Sequence, residues 1–245
     1  IFKGTPLVVI PLKMYAGIDV FVLLSIPGFI IAGNLMNQGG LTDKIIKFCN
    51  HLLGHVRGGL SYVNISASML FAGISGTAIS DTASLGAVMI PAMKKEGYDS
   101  DFSCAITAAS STVGPIIPPS LPMIIAATLS GLSVGKLFLA GAIPGLLLGL
   151  GLMLVAYFVA KKKNYPKHQK SSILQILKSF TNTFWALLMT LIILFGIVGG
   201  VFTPTEASVV AVLYALFIGT FVYKKLNLKN ISVVILDSMK TTASL

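Results

Sequence analysis

Charge is what this chain has least of. Only 11% of its 245 residues are Asp, Glu, Lys or Arg, against 55% hydrophobic, and the 8 acids are outnumbered by 18 basic residues. Soluble domains carry roughly a quarter of their residues charged, so a water-soluble globule is a poor description of this composition. Two cysteines, Cys49 and Cys104, are too few and too far apart for a disulfide scaffold or a thiolate site, and three scattered histidines add no ligand spacing. Both cysteines are expected to be small packing residues. The net charge of +10 falls in the connections between apolar runs instead of forming a stripe interleaved with aromatics, which argues against nucleic acid and for a membrane.

What the chain does have is apolar length, with a mean hydropathy of +0.88. Crossing about 30 Å of hydrocarbon takes about 20 helical residues. Residues 21–36 form the first spanning candidate, after Lys3 and Lys13 and with a kink-prone Pro27. In residues 41–55, Leu41, Ile45, Phe48, Leu52 and His55 or Val56 recur at helical spacing opposite Asp43, Lys44, Lys47 and His51. That is the pattern of a helix in the interface, its apolar face in lipid or against protein. Further spans are expected at 137–160, 184–201 and 207–223, the last ending at Lys224 and Lys225. Between the last two, Pro204 presets φ, Thr203 or Thr205 can cap, and Glu206 falls in the first turn, where the helix dipole favours a carboxylate.

Two stretches break the rules for a membrane helix. Ser75-Gly76-Thr77-Ala78-Ile79-Ser80-Asp81 interrupts one apolar run, and Gly114-Pro115-Ile116-Ile117-Pro118-Pro119-Ser120-Leu121-Pro122 interrupts the next. Irregular backbone survives at membrane depth only where protein buries it or where it lines a polar cavity. Residues 60–71 and 84–93 flank the first break, each too short to span, bounded by Arg57 on one side and by Lys94, Lys95 and Glu96 on the other. Such half-helices fit a re-entrant hairpin whose base is cytoplasmic. Residues 102–129 are then a span that Pro115, Pro118, Pro119 and Pro122 forbid from being one continuous helix. After a short connection, 130–136, the next span returns to Lys161, Lys162 and Lys163 and to a basic stretch reaching Lys178. Counting from a cytoplasmic hairpin puts those lysines inside, so two signals agree on orientation.

The chemistry available at the breaks is oxygen. Ser75, Thr77 and Ser80 bring hydroxyls, Asp81 is the only carboxylate in either break, and the unwound carbonyls near residues 110–116 join Ser111, Thr112 and Ser120. Such ligands suit a hard cation, and with one carboxylate a monovalent one, sodium. Helix N-termini at the same place can hold a substrate carboxylate. Asp81 also stands where a cap for the second half-helix would. A channel or pore is the rival, since it too needs broken helices. A hydrolase would need a base beside Ser75 or Ser80, and no intramembrane histidine supplies one.

The run Gly73-Ile74-Ser75-Gly76-Thr77-Ala78, then Gly86-Ala87-Val88-Met89-Ile90-Pro91-Ala92-Met93 with Gly97-Tyr98, then Ala109-Ser110-Ser111-Thr112-Val113-Gly114-Pro115-Ile116-Ile117-Pro118-Pro119-Ser120 resembles the large membrane subunit of the tripartite ATP-independent periplasmic (TRAP) transporters, as does Gly199-Gly200-Val201-Phe202-Thr203-Pro204-Thr205-Glu206-Ala207. The resemblance covers essentially the whole chain. It implies an all-α, polytopic protein of the bacterial inner membrane, not an enzyme: an elevator-type, sodium-coupled secondary importer built from two inverted repeats, each with a hairpin and a broken helix. It also implies a small membrane subunit and a periplasmic substrate-binding protein as partners, and an organic acid such as a C4-dicarboxylate, sialic acid or another sugar acid as cargo. Carried over, the sodium site falls on Ser75, Gly76, Thr77 and Asp81 with Ser110, Ser111, Gly114 and Ile116. The substrate falls near Thr77, Ser80, Pro115 and Ser120. No cofactor is implied beyond coupling sodium ions, and no transition metal. The expected division is 1–56, scaffold span and arm helix; 57–136, the moving element; and 137–245, scaffold spans, the basic linker 161–178 and the start of a second repeat. Members of the family are longer, and a chain opening on Ile1 and stopping at Leu245 is expected to be a piece of one.

Overall fold

Hydrocarbon-compatible sequence punctuated by glycine, proline and capping hydroxyls gives helices with short joints. The computed structural model describes residues 7–244, in which no strand occurs. In chain order the helices are α1 (Val9–Ile18), α2 (Ser25–Gln38), α3 (Leu41–Leu53), α4 (Gly59–Ser75), α5 (Ala78–Lys95), α6 (Ser100–Ser111), α7 (Leu121–Ser130), α8 (Val134–Lys163), α9 (Ile173–Val198), α10 (Pro204–Phe217) and α11 (Leu228–Ser244). A 3-10 turn, Phe21–Leu24, leads into α2, and a π-helical turn, Ile218–Val222, continues α10. Among the described residues, four stretches are long and apolar enough to cross a membrane: Phe21–Gln38, Val134–Lys163, Ile173–Val198 and Pro204–Val222. The helices around the two breaks are not among them.

The boundaries differ from the sequence expectation in instructive ways. α9 starts at Ile173 rather than at residue 184, because Ser172 and Gln175 form a capping box, the Ser172 amide donating to Gln175 Oε1 at 3.0 Å. The first break is also narrower than expected. Helix resumes at Ala78, since Thr77 caps it by accepting from the Ser80 amide at 3.3 Å, so Ile79, Ser80 and Asp81 lie inside the first turns of α5. At 17 and 18 residues the arms α4 and α5 are longer than the two short segments read from the sequence. The second break is Thr112–Ser120, shifted so that Leu121 and Pro122 belong to α7. Proline is compatible there because a first-turn amide has no partner to lose. α1 escaped the sequence reading altogether; none of its side chains is buried.

α4 is the hub. Leu60, Val63, Ile65, Ala67 and Phe71 are buried, and the helix packs against α2, α3, α5, α6, α8 and α9. The apolar stripe of α3 faces protein: Leu41, Ile45 and Cys49 are buried in its contact with α4 and α9. Cys104, by contrast, is exposed, not the packing residue expected. α2 and α10 approach closely because Gly28 has no side chain to meet Ser208. On α8, Gly141, Gly145 and Gly149 recur every fourth residue against the broken segment and α4. A methyl at Gly141 would stand 2.7 Å from the Ile116 carbonyl oxygen, one at Gly145 would stand 2.6 Å from Ile117 Cγ1, and one at Gly149 would collide with Met69.

The base of the α4–α5 pair is fastened to the linker after α8. Tyr98 stacks on Tyr165 with ring centres 4.2 Å apart, and the Tyr165 hydroxyl donates to Asp99 Oδ2 at 3.0 Å. Lys163 pairs with the same carboxylate at 2.9 Å. Together Lys163 and Tyr165 hold the Asp99 carboxyl below the usual carboxylate range. The Gly58 amide donates to the Pro166 carbonyl at 3.0 Å, and His168 lies 2.7 Å from Glu96.

Candidate functional site

The two breaks meet. α4 ends at Ser75, and Gly76 turns the chain with φ +62°, a conformation that side chains with a Cβ rarely adopt. α5 then runs back along α4: Ser75 touches Asp81 at the tip, and Asn64 reaches Met93 Sδ at 3.7 Å near the base. The tip docks on the unwound segment, where the Leu121 amide donates to the Gly76 carbonyl at 3.3 Å. A methyl added to Gly76 would lie 2.7 Å from the Pro119 carbonyl oxygen, so only glycine allows this approach.

Asp81 is the centre of the joint. Its residue is fully buried; Ser75 Oγ donates to Oδ1, while Oδ2 has no hydrogen-bond partner. An unpaired buried carboxylate oxygen is among the costliest arrangements in a protein, and it calls for a cation or a proton. Gly114 supplies the space opposite. A methyl there would stand 3.0 Å from Asp81 Oδ2, 3.1 Å from the Ser111 carbonyl oxygen and 3.2 Å from the Thr77 carbonyl carbon. Carboxylate, helix-end carbonyl and tip backbone therefore converge on one point.

The remaining expected site residues divide. Ser110 and Ser111 are buried beside the joint, but their hydroxyls donate to the Thr107 carbonyl at 3.1 and 2.8 Å, leaving the backbone to face the tip. The Ile116 carbonyl oxygen lies against Gly141 of α8. Ser120 is committed to holding the loop: it donates to the Pro115 carbonyl at 2.6 Å and caps α7 by accepting from the Met123 amide at 3.3 Å. Thr77 and Ser80 face a cavity of about 350 Å³ between the tip and α2, lined also by Asn34, Asn37 and Ser84. Asn37 donates to Ser84 Oγ across it at 2.8 Å.

Sequence reasoning missed Asn34 and Asn37, and with them a polar seam between α4 and α6. In that seam the Asn64 amide donates to Thr107 Oγ1 at 2.6 Å and Ser68 Oγ to Ser110 Oγ at 2.9 Å. The signal was available, since Ser61, Asn64, Ser68 and Ser75 recur every three, four or seven residues along one face of an apolar helix. At the turn before α10, Glu206 is occupied as a cap: Oε2 accepts from the Thr203 amide at 2.8 Å. No three His, Cys, Asp or Glu side chains gather among the described residues.

Spanning helices, a helical hairpin and a proline-broken helix with buried polar groups at their meeting point define a multi-pass helical membrane protein. The chain belongs to the family described as the tripartite ATP-independent periplasmic transporter, DctM component, which it matches over residues 1–245. This is a family of inner-membrane transporter permeases, not enzymes. The chain is 46% identical over 230-odd residues to the sialic acid TRAP transporter large permease protein SiaM of Vibrio cholerae, covering 94% of this chain and 54% of that protein. It is 42% identical to the 2,3-diketo-L-gulonate TRAP transporter large permease protein YiaN of Escherichia coli K12, covering 93% and 53%. It is 42% identical to the C4-dicarboxylate TRAP transporter large permease protein DctM of Pseudomonas aeruginosa, covering 96% and 55%. The chain thus spans about half the length of these relatives.

Proposed function

We propose that this chain is part of the permease of a sodium-coupled importer of organic acids, working with a small membrane subunit and a periplasmic substrate-binding protein. The observation that carries the reading is Asp81 Oδ2, buried and unpartnered where the hairpin tip meets the broken helix. A sodium ion fits this donor set: Asp81, the Ser111 carbonyl and the backbone of Thr77 are hard oxygen ligands with a single full charge. Bound there, sodium supplies the counter-charge that ties the tip to the break. Ser75 orients the carboxylate, and Gly114 keeps the space open.

The acid belongs in the neighbouring cavity, where Thr77, Ser80, Asn34 and Asn37 offer donors and the N-terminus of α5 favours a carboxylate. Sodium and acid share the tip, so an ordered tip raises affinity for the acid, and the coupling is reciprocal. Relatives named for sialic acid, diketogulonate and C4-dicarboxylates support an organic acid as the substrate class. In this reading the hairpin is re-entrant with a cytoplasmic base. The unit α4–α7 moves as an elevator against a scaffold of α2, α3 and α8–α10, and a second repeat begins near α9. A channel gains no support from SiaM, YiaN and DctM, which are named as transporter permeases.

The test is uptake by the full-length protein with its partners in proteoliposomes, offered sialic acid, a C4-dicarboxylate and diketogulonate. Saturable uptake of one of them should fall about a hundredfold when the sodium gradient is removed. Uptake indifferent to sodium, or downhill flux without the binding protein, overturns the proposal.

A further inference from the structure

A second cavity, of about 330 Å³, opens between α3 and the first turns of α9. Its lining is basic and polar: Lys44 and Lys47 from α3, and Gln175, Lys178, Ser179 and Asn182 from α9. No acid lines it, and among the described residues none of these three lysines joins an ion pair. Asp43, in the first turn of α3, is turned to Lys225 at 3.8 Å. The Lys44 ammonium lies 2.9 Å from the centre of the Tyr223 ring, and burial, with Lys225 nearby, pushes it down to about 8. Three lysines on the wall of a concavity that no carboxylate lines favour an anion there.

Beside this basic mouth runs a rail of rings. Phe48 meets Phe180 at 5.8 Å, Phe180 meets Phe184 at 5.9 Å, and Phe184 meets Trp185 at 6.1 Å. Phe180, Phe184 and Trp185 remain 39–40% exposed, on a helix otherwise suited to hydrocarbon. A small soluble anion would use the lysines and leave the rail idle. An amphiphile with an anionic head uses both.

We propose that this cavity binds an anionic phospholipid, its phosphodiester among Lys44, Lys47 and Lys178 and its acyl chains along Phe180, Phe184 and Trp185. Basic pockets between helices at the cytoplasmic face have this chemistry. The assignment to the inner leaflet rests on the orientation proposed above; the binding itself does not depend on transport, and neither does its test.

The experiment reconstitutes the full-length complex in nanodiscs of equal phosphatidylglycerol and phosphatidylcholine, then quantifies lipid retained after re-extraction by native mass spectrometry. Wild type should retain phosphatidylglycerol over phosphatidylcholine by about tenfold. The triple variant Lys44→Gln, Lys47→Gln, Lys178→Gln should lose that preference. A variant of equal charge change in the linker, Lys162→Gln, Lys167→Gln, Lys170→Gln, should keep it. Inorganic phosphate at millimolar concentration should not displace the lipid. Lack of preference in wild type, equal loss in both triples, or displacement by phosphate overturns the proposal. Should the first triple fail to elute as a monodisperse complex, brominated phosphatidylglycerol decides the matter. It should quench tryptophan fluorescence more than brominated phosphatidylcholine in wild type, and the difference should vanish in Trp185→Phe.

Discussion

The two ends of the α4–α5 hairpin are built on opposite principles. At the base, Asp99 accepts from Tyr165 and pairs with Lys163, Tyr98 stacks on Tyr165, and Glu96 meets His168. At the tip, the buried carboxylate of Asp81 keeps one oxygen without a partner, and the surrounding hydroxyls are bonded elsewhere. Satisfied polar groups rigidify a joint, while a half-satisfied one waits for a further component. The clasp at the base is closed by the chain's own side chains, and the tip, in the proposed function, is completed by sodium.

The largest expected effect comes from removing the difference at its source. Asp81→Asn in the full-length protein should lower sodium-dependent uptake by about a hundredfold or more while leaving membrane insertion intact. It should also raise thermal stability in sodium-free buffer, because an unpaired buried charge is gone. In wild type, sodium at 100 times its dissociation constant should stabilise by about 2.7 kcal/mol; in the variant that increment should vanish. A wild-type sodium response in Asp81→Asn refutes the site.

Gly114→Val comes next. Its first added carbon would press on Asp81 Oδ2 and on the Ser111 carbonyl, so uptake should drop at least about tenfold through loss of the space the ion needs. Normal uptake kinetics would mean that the joint rearranges freely.

At the base, Tyr165→Phe deletes the hydroxyl bond to Asp99 and leaves the stack. It should cost about 1 kcal/mol, a fall of about 2–4 °C in the melting midpoint, with the sodium response unchanged. A changed sodium response would show that base and tip are not separate joints.

The smallest effect is the pH dependence of Asp99. Its folded pKa is depressed, so its contribution is fully present above the unfolded value of about 3.9 and is lost as pH falls through the lower folded value. Protease cleavage of the linker near Pro166 should accelerate only in that acidic window, and Asp99→Asn should abolish the acceleration.

The breaks were legible in sequence because proline and glycine act on the backbone directly: Pro115, Pro118 and Pro119 deny the segment a continuous helix, while Pro122 fits the first turn of α7. Side-chain direction was not legible. Ser110 and Ser111 are buried beside the break, and hydroxyls on a helix find the carbonyl a turn back, as both do with Thr107. Ile116 came with Gly114 through the resemblance, and residues of an irregular loop can face different neighbours: the Ile116 carbonyl meets α8 and Gly114 meets the hairpin. Asp81 was read as either cap or ligand. Thr77 performs the capping, which frees the carboxylate. The base clasp joins Asp99 to Tyr165, 66 residues apart, and no local pattern announces such a pair.

The glycine face of α8 bears on friction as well as on closeness. Helices whose side chains interlock must change rotamers or ride over one another before they slide. Gly141 and Gly145 leave the wall behind Ile116 and Ile117 without teeth, and Gly149 does the same opposite Met69 of α4. In the proposed motion α8 is therefore a bearing surface along which the broken helix can glide. A single methyl at Gly145 becomes a brake, slowing translocation without touching ion or acid.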